Sequence, residues 1–364
     1  MNRTAYIERL VPATVRAGAS YPVPNSEGMI KLDAMENPYP WPSDLQAEFA
    51  TALSQCALNR YPDPKGAAIR EPLATWLNLP SSLDLLFGNG SDEIIGLLIS
   101  LLIGSGRSVC APDPSFVMFR VVAEQYGVPF HALPLDDRFD VDLDGWRAEL
   151  ETKNPGVIFV PQPNNPTGNL FDPARLIQVI ESTDALVVID EAYTAFTDSD
   201  CLNWAAEYPN VVVMRTLSKV GLAGARFGLL IGAPDWIAEF DKIRLPYNIN
   251  SLTQAAVKYA LTHAEVLESQ SQAIRSERVR LSALLGDRGF SVWPSEANFV
   301  VVDTSPVAYD ARALFEGLKA RGVLIKCLDG SHPRLKGTLR ITVGQPSETD
   351  ALMAALDQLL AGGR

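Results

Sequence analysis

Cysteine and histidine are scarce in this chain and are not grouped: Cys56, Cys110, Cys201 and Cys327 are the four cysteines, and His131, His263 and His332 the three histidines. No CxxC pair occurs and no Cys stands beside a His in a nucleophile motif. A zinc site, a disulfide framework and a thiol nucleophile are therefore not expected, and no metal is assigned. Long apolar runs are also lacking. The stretch from Ile94 to Ile103 is interrupted by Gly96 and Ser100 and falls far short of the roughly 20 residues that cross a bilayer. The opening MNRTAYIERLVPATVR has no continuous apolar segment of the signal-peptide kind, so a cytoplasmic location is expected. Positive charge is in deficit, with 31 Lys and Arg against 43 Asp and Glu and a formal net charge of -12. Nucleic-acid binding relies on a clustered basic surface and is opposed by this balance. An anionic ligand must instead meet locally placed Arg, Lys or backbone N–H groups.

What is present is a chain of 364 residues, 47% apolar, long enough to bury a large core in more than one domain. Between about Leu83 and Ile231, apolar β-branched runs (RSVCAP, GVIFVPQ, ALVVID, NVVVMRT, FGLLIG) alternate with helix-like segments such as Phe116 to Tyr126 and Pro173 to Ser182. This pattern predicts an α/β fold with a mainly parallel sheet and right-handed crossovers. A helical stretch from about Ser251 to Leu285 leads to a smaller α+β region ending in LRITV and ALMAALDQLL. The first 50 or so residues carry YPVPN and ENPYPWP, which disfavour helix and read as an arm. The expected division is 1–50 as arm and part of a small domain, 51–250 as the large domain, and 251–364 as a connecting helix and C-terminal small domain.

Four motifs follow strands. In LDLLFGNGSDEIIGLLISLL a strand passes through Gly88 and Gly90 into a helix beginning near Ser91, Asp92 and Glu93. The free N–H groups and positive dipole end of such a helix suit a phosphate, although a plain N-capped turn gives the same pattern. In PQPNNPTGNL, Asn165 emerges at the carboxyl end of a strand, where open α/β sheets bind ligands; an Asn-Pro turn is the alternative. ALVVIDEAYTAF ends a buried strand on Asp190, with Tyr193 three positions later. A carboxylate there needs a partner, either a structural one or a cationic ring nitrogen. VVVMRTLSKVGLAGARFG ends another strand with Thr216, Ser218, Lys219 and Arg226. A lysine in so small and apolar a setting can lose its proton and act as nucleophile or base, although most lysines are solvated surface groups.

Taken in order and spacing, GNGSDEII, PNNPTG, DEAYTAF, TLSKVGLAGARFG and LRITVG resemble the fold-type I pyridoxal 5'-phosphate (PLP) aminotransferases over nearly the whole chain. The resemblance implies that Lys219 carries PLP as a Schiff base and that Asp190 pairs with the ring nitrogen. Asn165 and Tyr193 would contact the ring hydroxyl, with Phe116 stacked on the ring. Ser91, Asp92, Glu93, Thr216, Ser218 and Arg226 would surround the phosphate. The chemistry accounts for these residue types: an anionic Asp190 favours a protonated, electron-withdrawing ring, and a lysine amine at the reacting carbon can shuttle a proton.

Within that family KLDAMENPYP, LNRYPDP, the compact lysine block and GVLIKCLDGSHPRLKGTLRITVG are similar to the branch acting on histidinol phosphate. The similarity implies transfer between L-histidinol phosphate and 2-oxoglutarate in histidine biosynthesis, by a homodimer with a shared active site. On the same basis Arg340 would bind the substrate phosphate or glutamate's carboxylate, and Asn37 would sit with the substrate. Lys326 stands where many relatives have a second Arg. Tyr21 and Tyr61 match positions that reach the site, Tyr61 from the neighbouring subunit. An aromatic amino-acid aminotransferase would share every cofactor residue, and a threonine-phosphate decarboxylase the same PLP site.

Overall fold

The computed structural model describes residues 2–18 and 23–362; Tyr21 lies outside the described residues. The strands are β1 (Ile30–Lys31), β2 (Asp84–Gly88), β3 (Ser108–Asp113), β4 (Phe130–Pro134), β5 (Pro155–Pro161), β6 (Leu186–Asp190), β7 (Val211–Thr216), β8 (Gly228–Gly232), β9 (Ser291–Val292), β10 (Phe299–Asp303), β11 (Val323–Leu324), β12 (Lys326–Cys327) and β13 (Thr338–Thr342). Seven of them form one sheet in the order β2-β8-β7-β6-β5-β3-β4. Only β8 runs against its neighbours; the pairings of β3 with β4 and β5, of β5 with β6 and of β6 with β7 are all parallel.

Alternation along a strand sends successive side chains to opposite faces. In β6, Val187 and Ile189 enter one buried cluster and Leu186 and Val188 another, so the sheet is covered on both sides. That double burial is why these strands read as unbroken apolar runs instead of alternating ones. The crossover helix Pro173–Ser182 begins with proline at its first position and with Asp172 capping the Ala174 N–H. The helix after Phe116 is shorter than its sequence pattern, covering Met118–Gln125.

The stretch read as one helix from Ser251 to Leu285 is two, Ser251–Thr262 and Ala264–Gly286. His263 at φ -128°, ψ 40° breaks them while its N–H still reaches the Ala260 carbonyl. Periodicity alone does not reveal a break that preserves apolar spacing on both sides. Beyond it, β12-β13-β10-β9 form an antiparallel sheet over a third apolar cluster. The N-terminal segment joins this region: β1 pairs in parallel with β11, and Leu32 bonds to Leu324 on one side and Thr342 on the other.

Candidate active site

The carboxyl ends of β2, β5, β6 and β7 converge on a cavity of about 210 Å³, at the edge where open α/β sheets present ligands. Ser91, Asp92 and Phe116 line it from one side, and Asn165, Asp190 and Tyr193 from the strand ends. Thr216, Ser218, Lys219 and Arg226 complete it from the turn after β7. Four motifs spread over more than a hundred residues are thus brought together because each follows a strand of one sheet.

Lys219 follows β7 directly, in a tight turn whose Gly221 has φ 126°. Its Nζ lies 5.7 Å from the centre of the Tyr193 ring. Burial, reinforced by the Arg340 charge and opposed by Asp190, lowers its pKa to about 8. Asp190 ends β6 buried and accepts one hydrogen bond, from the Ala192 N–H at 3.1 Å. Burial pushes its carboxyl up to about 7. A buried carboxylate so poorly solvated by protein is suited to a cationic partner inside the cavity. Tyr193 is buried edge-on to Phe299, and desolvation holds its hydroxyl well above the ordinary range.

The opposite end is built for an anion. Ser91 opens the helix Ser91–Ser100, whose first-turn N–H groups lack intrahelical partners. Arg226, itself at φ 52°, donates to Asp92 at 3.2 Å across that helix start. Thr216 and Ser218 bring two hydroxyls within 2.8 Å of each other. Two glycines make the close approach possible: a Cβ on Gly90 would sit 2.7 Å from the Arg226 guanidinium, and one on Gly228 would sit 2.6 Å from the Gly90 carbonyl carbon. These residues fit PLP, with a phosphate at the helix start, a ring cation at Asp190 and an aldehyde at Lys219.

Other predicted positions lie elsewhere. The Glu93 carboxylate accepts from the Asn89 N–H and from Asn248 Nδ2 and does not line the cavity. Asn37 donates to the carbonyl of Val220, beside Lys219, and to Gln270, which ties the N-terminal segment to the lysine turn. Arg340 sits behind the cavity wall, buried, donating to Asn165 at 2.5 Å and to the Asp33 carbonyl at 3.1 Å. Lys326 is its cross-strand partner in register. Tyr61 is 81% exposed and stacks on Tyr247 at 4.6 Å, away from the cavity.

The sequence reading missed Ala34, Met35 and Glu36, which line the cavity from the N-terminal segment. It also missed Asn164, which binds the Pro114 carbonyl and accepts from Ser115, fixing the loop that carries Phe116. The first Asn of PNNPTG was the available signal for that anchor. Glu191, the residue after Asp190, pairs in the interior with Arg215, the residue before Thr216. Their ion pair locks the ends of β6 and β7 together.

Residues 27–356 match the family Aminotransferase class I and II, and the chain belongs to that family. It is 44% identical to a histidinol-phosphate aminotransferase of Chromobacterium violaceum, covering 97% of this chain and 98% of the other. A histidinol-phosphate aminotransferase 1 of Burkholderia lata is 43% identical, with 97% and 98% covered. Among solved structures, the histidinol-phosphate aminotransferase of Sinorhizobium meliloti in complex with pyridoxal-5'-phosphate superposes with a TM-score of 0.86 at 25% identity, covering 98% of each chain. An L-threonine-O-3-phosphate decarboxylase from Porphyromonas gingivalis, at 19% identity and a TM-score of 0.75 over 92% of this chain and all of the other, shares the fold alone. The enzyme is an aminotransferase that uses PLP.

The contact between β8 and the helix start gives a first test. Gly228→Ala forces a methyl group into the backbone of Gly90 and Ser91, 2.6 and 2.7 Å away, and overpacking of this kind costs roughly 1–3 kcal/mol. The variant should melt below wild type as apoprotein and release PLP faster. Thermal unfolding with and without cofactor measures both, and unchanged PLP retention would remove this contact from the phosphate cradle.

Proposed function

We propose that this aminotransferase moves the amino group of L-histidinol phosphate to 2-oxoglutarate, giving imidazole acetol phosphate and glutamate in histidine biosynthesis. The observation that carries the reading is Arg340, a buried guanidinium behind the cavity wall that holds the cavity-lining Asn165 and the Asp33 carbonyl. A planar fork of donors binds phosphate or carboxylate in paired hydrogen bonds. It can therefore serve the donor's phosphate in one half-reaction and glutamate's carboxylate in the other. The 41–44% identity to proteins of that name supports the same substrate pair.

In this reading Lys219 anchors the cofactor, and its Nζ later takes the proton from the substrate Cα. PLP supplies an electron-withdrawing ring that spreads the negative charge developing at that carbon. Asp190 would hold a proton on the ring nitrogen, Asn165 and Tyr193 would orient the ring hydroxyl, and Phe116 would cover a ring face. Ser91, Thr216, Ser218 and Arg226 hold the phosphate, and the packed walls exclude water. The enzyme works as a homodimer. Leu58 (70% exposed) and Leu245 (72%) are solvent-facing, and Tyr61 stacks on Tyr247; a second copy would cover Tyr61 and bring it to the partner's site.

Comparison of kcat/KM for histidinol phosphate, dephosphorylated histidinol and phenylalanine, with 2-oxoglutarate as acceptor, tests the assignment. Loss of charge-assisted bonds to the phosphate should cost on the order of 10- to 100-fold, with phenylalanine slower than histidinol phosphate. Indifference to the phosphate, or preference for phenylalanine, would leave an aminotransferase of different specificity.

A further inference from the structure

We propose that Glu36 is the ring-recognition residue of the donor pocket, its carboxylate accepting a hydrogen bond from the imidazole N–H of a donor whose phosphate lies on Arg340. This rests on the histidinol-phosphate reading above and names the group that selects the ring.

Three carboxylates line the cavity: Asp92, Asp190 and Glu36. Arg226 engages Asp92 at the helix start, and Asp190 ends β6 where the ring cation belongs. Glu36 is at neither end. It comes from the wall formed by Ala34, Met35 and Glu36, and that wall is fastened to the strand carrying Arg340. The Met35 N–H donates to Thr342 Oγ1 at 3.0 Å, the Met35 carbonyl accepts from Asn298, and the Asp33 carbonyl accepts from Arg340 itself. Met35 at φ 54° turns the chain there. One scaffold thus carries the Arg340 guanidinium and the Glu36 carboxylate together.

Lys31 Nζ bonds Glu36 Oε2 at 2.5 Å, and among the described residues no protein donor meets Oε1. An ionised carboxylate accepts hydrogen bonds and donates none. It complements a ring bearing N–H and offers nothing to a phenyl ring. Arg340 and Glu36 together select a donor that is anionic at one end and carries an N–H ring at the other.

The test measures kcat/KM for histidinol phosphate and phenylalanine in the wild-type holoenzyme, Glu36→Ala and Glu36→Gln, and the affinity of each apoprotein for histidinol phosphate by calorimetry. The ratio of histidinol phosphate to phenylalanine should fall roughly 10-fold or more in Glu36→Ala, through KM more than kcat, and partly recover in Glu36→Gln, which keeps a carbonyl acceptor. Apoprotein affinity for histidinol phosphate should fall in parallel. An unchanged ratio, or equal losses for both donors, overturns the assignment of Glu36. If the wild-type enzyme itself does not prefer histidinol phosphate, the functional reading fails first and the inference falls with it.

Discussion

Lys219→Ala should lower the rate of amino transfer by on the order of 10⁴-fold or more, while the protein stays folded and still holds PLP noncovalently. The size follows from the two tasks proposed for one side chain, anchoring the cofactor and moving the proton at Cα. Retention is expected because Ser91 and Arg226, the proposed phosphate cradle, line the cavity and are untouched. The lysine's environment adds a pH signature. Only the neutral amine attacks an aldehyde, and burial lowers the Lys219 pKa to about 8. Covalent capture of PLP by wild-type apoprotein should therefore speed up as pH rises, reach half its maximum near 8, and level off above it. Stopped-flow absorbance measures the profile. A half-maximum near the ordinary lysine value of 10.5 would mean that the amine is not desolvated as the cavity requires.

Asp190→Asn should impair the holoenzyme and stabilise the apoprotein. With its charge removed, the residue proposed to pair with the ring nitrogen would no longer favour the protonated ring, and loss of one such preorganised electrostatic contact costs on the order of 10²- to 10³-fold in rate. The apoprotein moves the other way. The folded-state pKa of Asp190 is raised from 3.8 to about 7 by burial. A raised carboxyl favours the fold at low pH, and that contribution is lost as pH rises through the folded value. At pH above about 7 the wild-type apoprotein carries a buried charge that the asparagine variant lacks. The variant should be more stable there by roughly 1–3 kcal/mol, and the gap should close as pH falls towards 4. Denaturant unfolding of both apoproteins at several pH values, beside single-turnover kinetics of the holoenzymes, gives the two halves. A variant slower in turnover and also less stable as apoprotein at high pH would assign Asp190 an ordinary structural role.

The parts of the site that were legible in the sequence share one physical feature. Asp190, Thr216 and Lys219 each sit where a fully buried strand stops, so an apolar run ending abruptly on a polar residue marks the sheet edge directly. Asn165 follows the same logic one turn later, and Arg226 closes the loop between β7 and β8. What escaped depends on contacts between distant segments. Met35 meets Thr342 across 307 positions, and nothing in DAMEN signals that this turn is clamped to a strand near the other end of the chain. Glu93 shows the converse: its helix-start position suggested a phosphate neighbour, but Asn248, 155 residues later, takes its carboxylate. Arg340 was recognisable by resemblance, whereas its bond to Asn165 depends on how the C-terminal sheet faces the large one. The break at His263 was hidden because both helices keep their apolar spacing.

Lys219, just past the end of β7, is proposed to carry the cofactor and do the proton chemistry. Borohydride reduction of the PLP-loaded enzyme, followed by digestion and mass spectrometry, tests it most directly. The stable adduct should map to Lys219, within TLSKVGLAGAR, and be absent from Lys219→Ala. An adduct on any other lysine of the wild-type enzyme, or undiminished labelling in the variant, would contradict it.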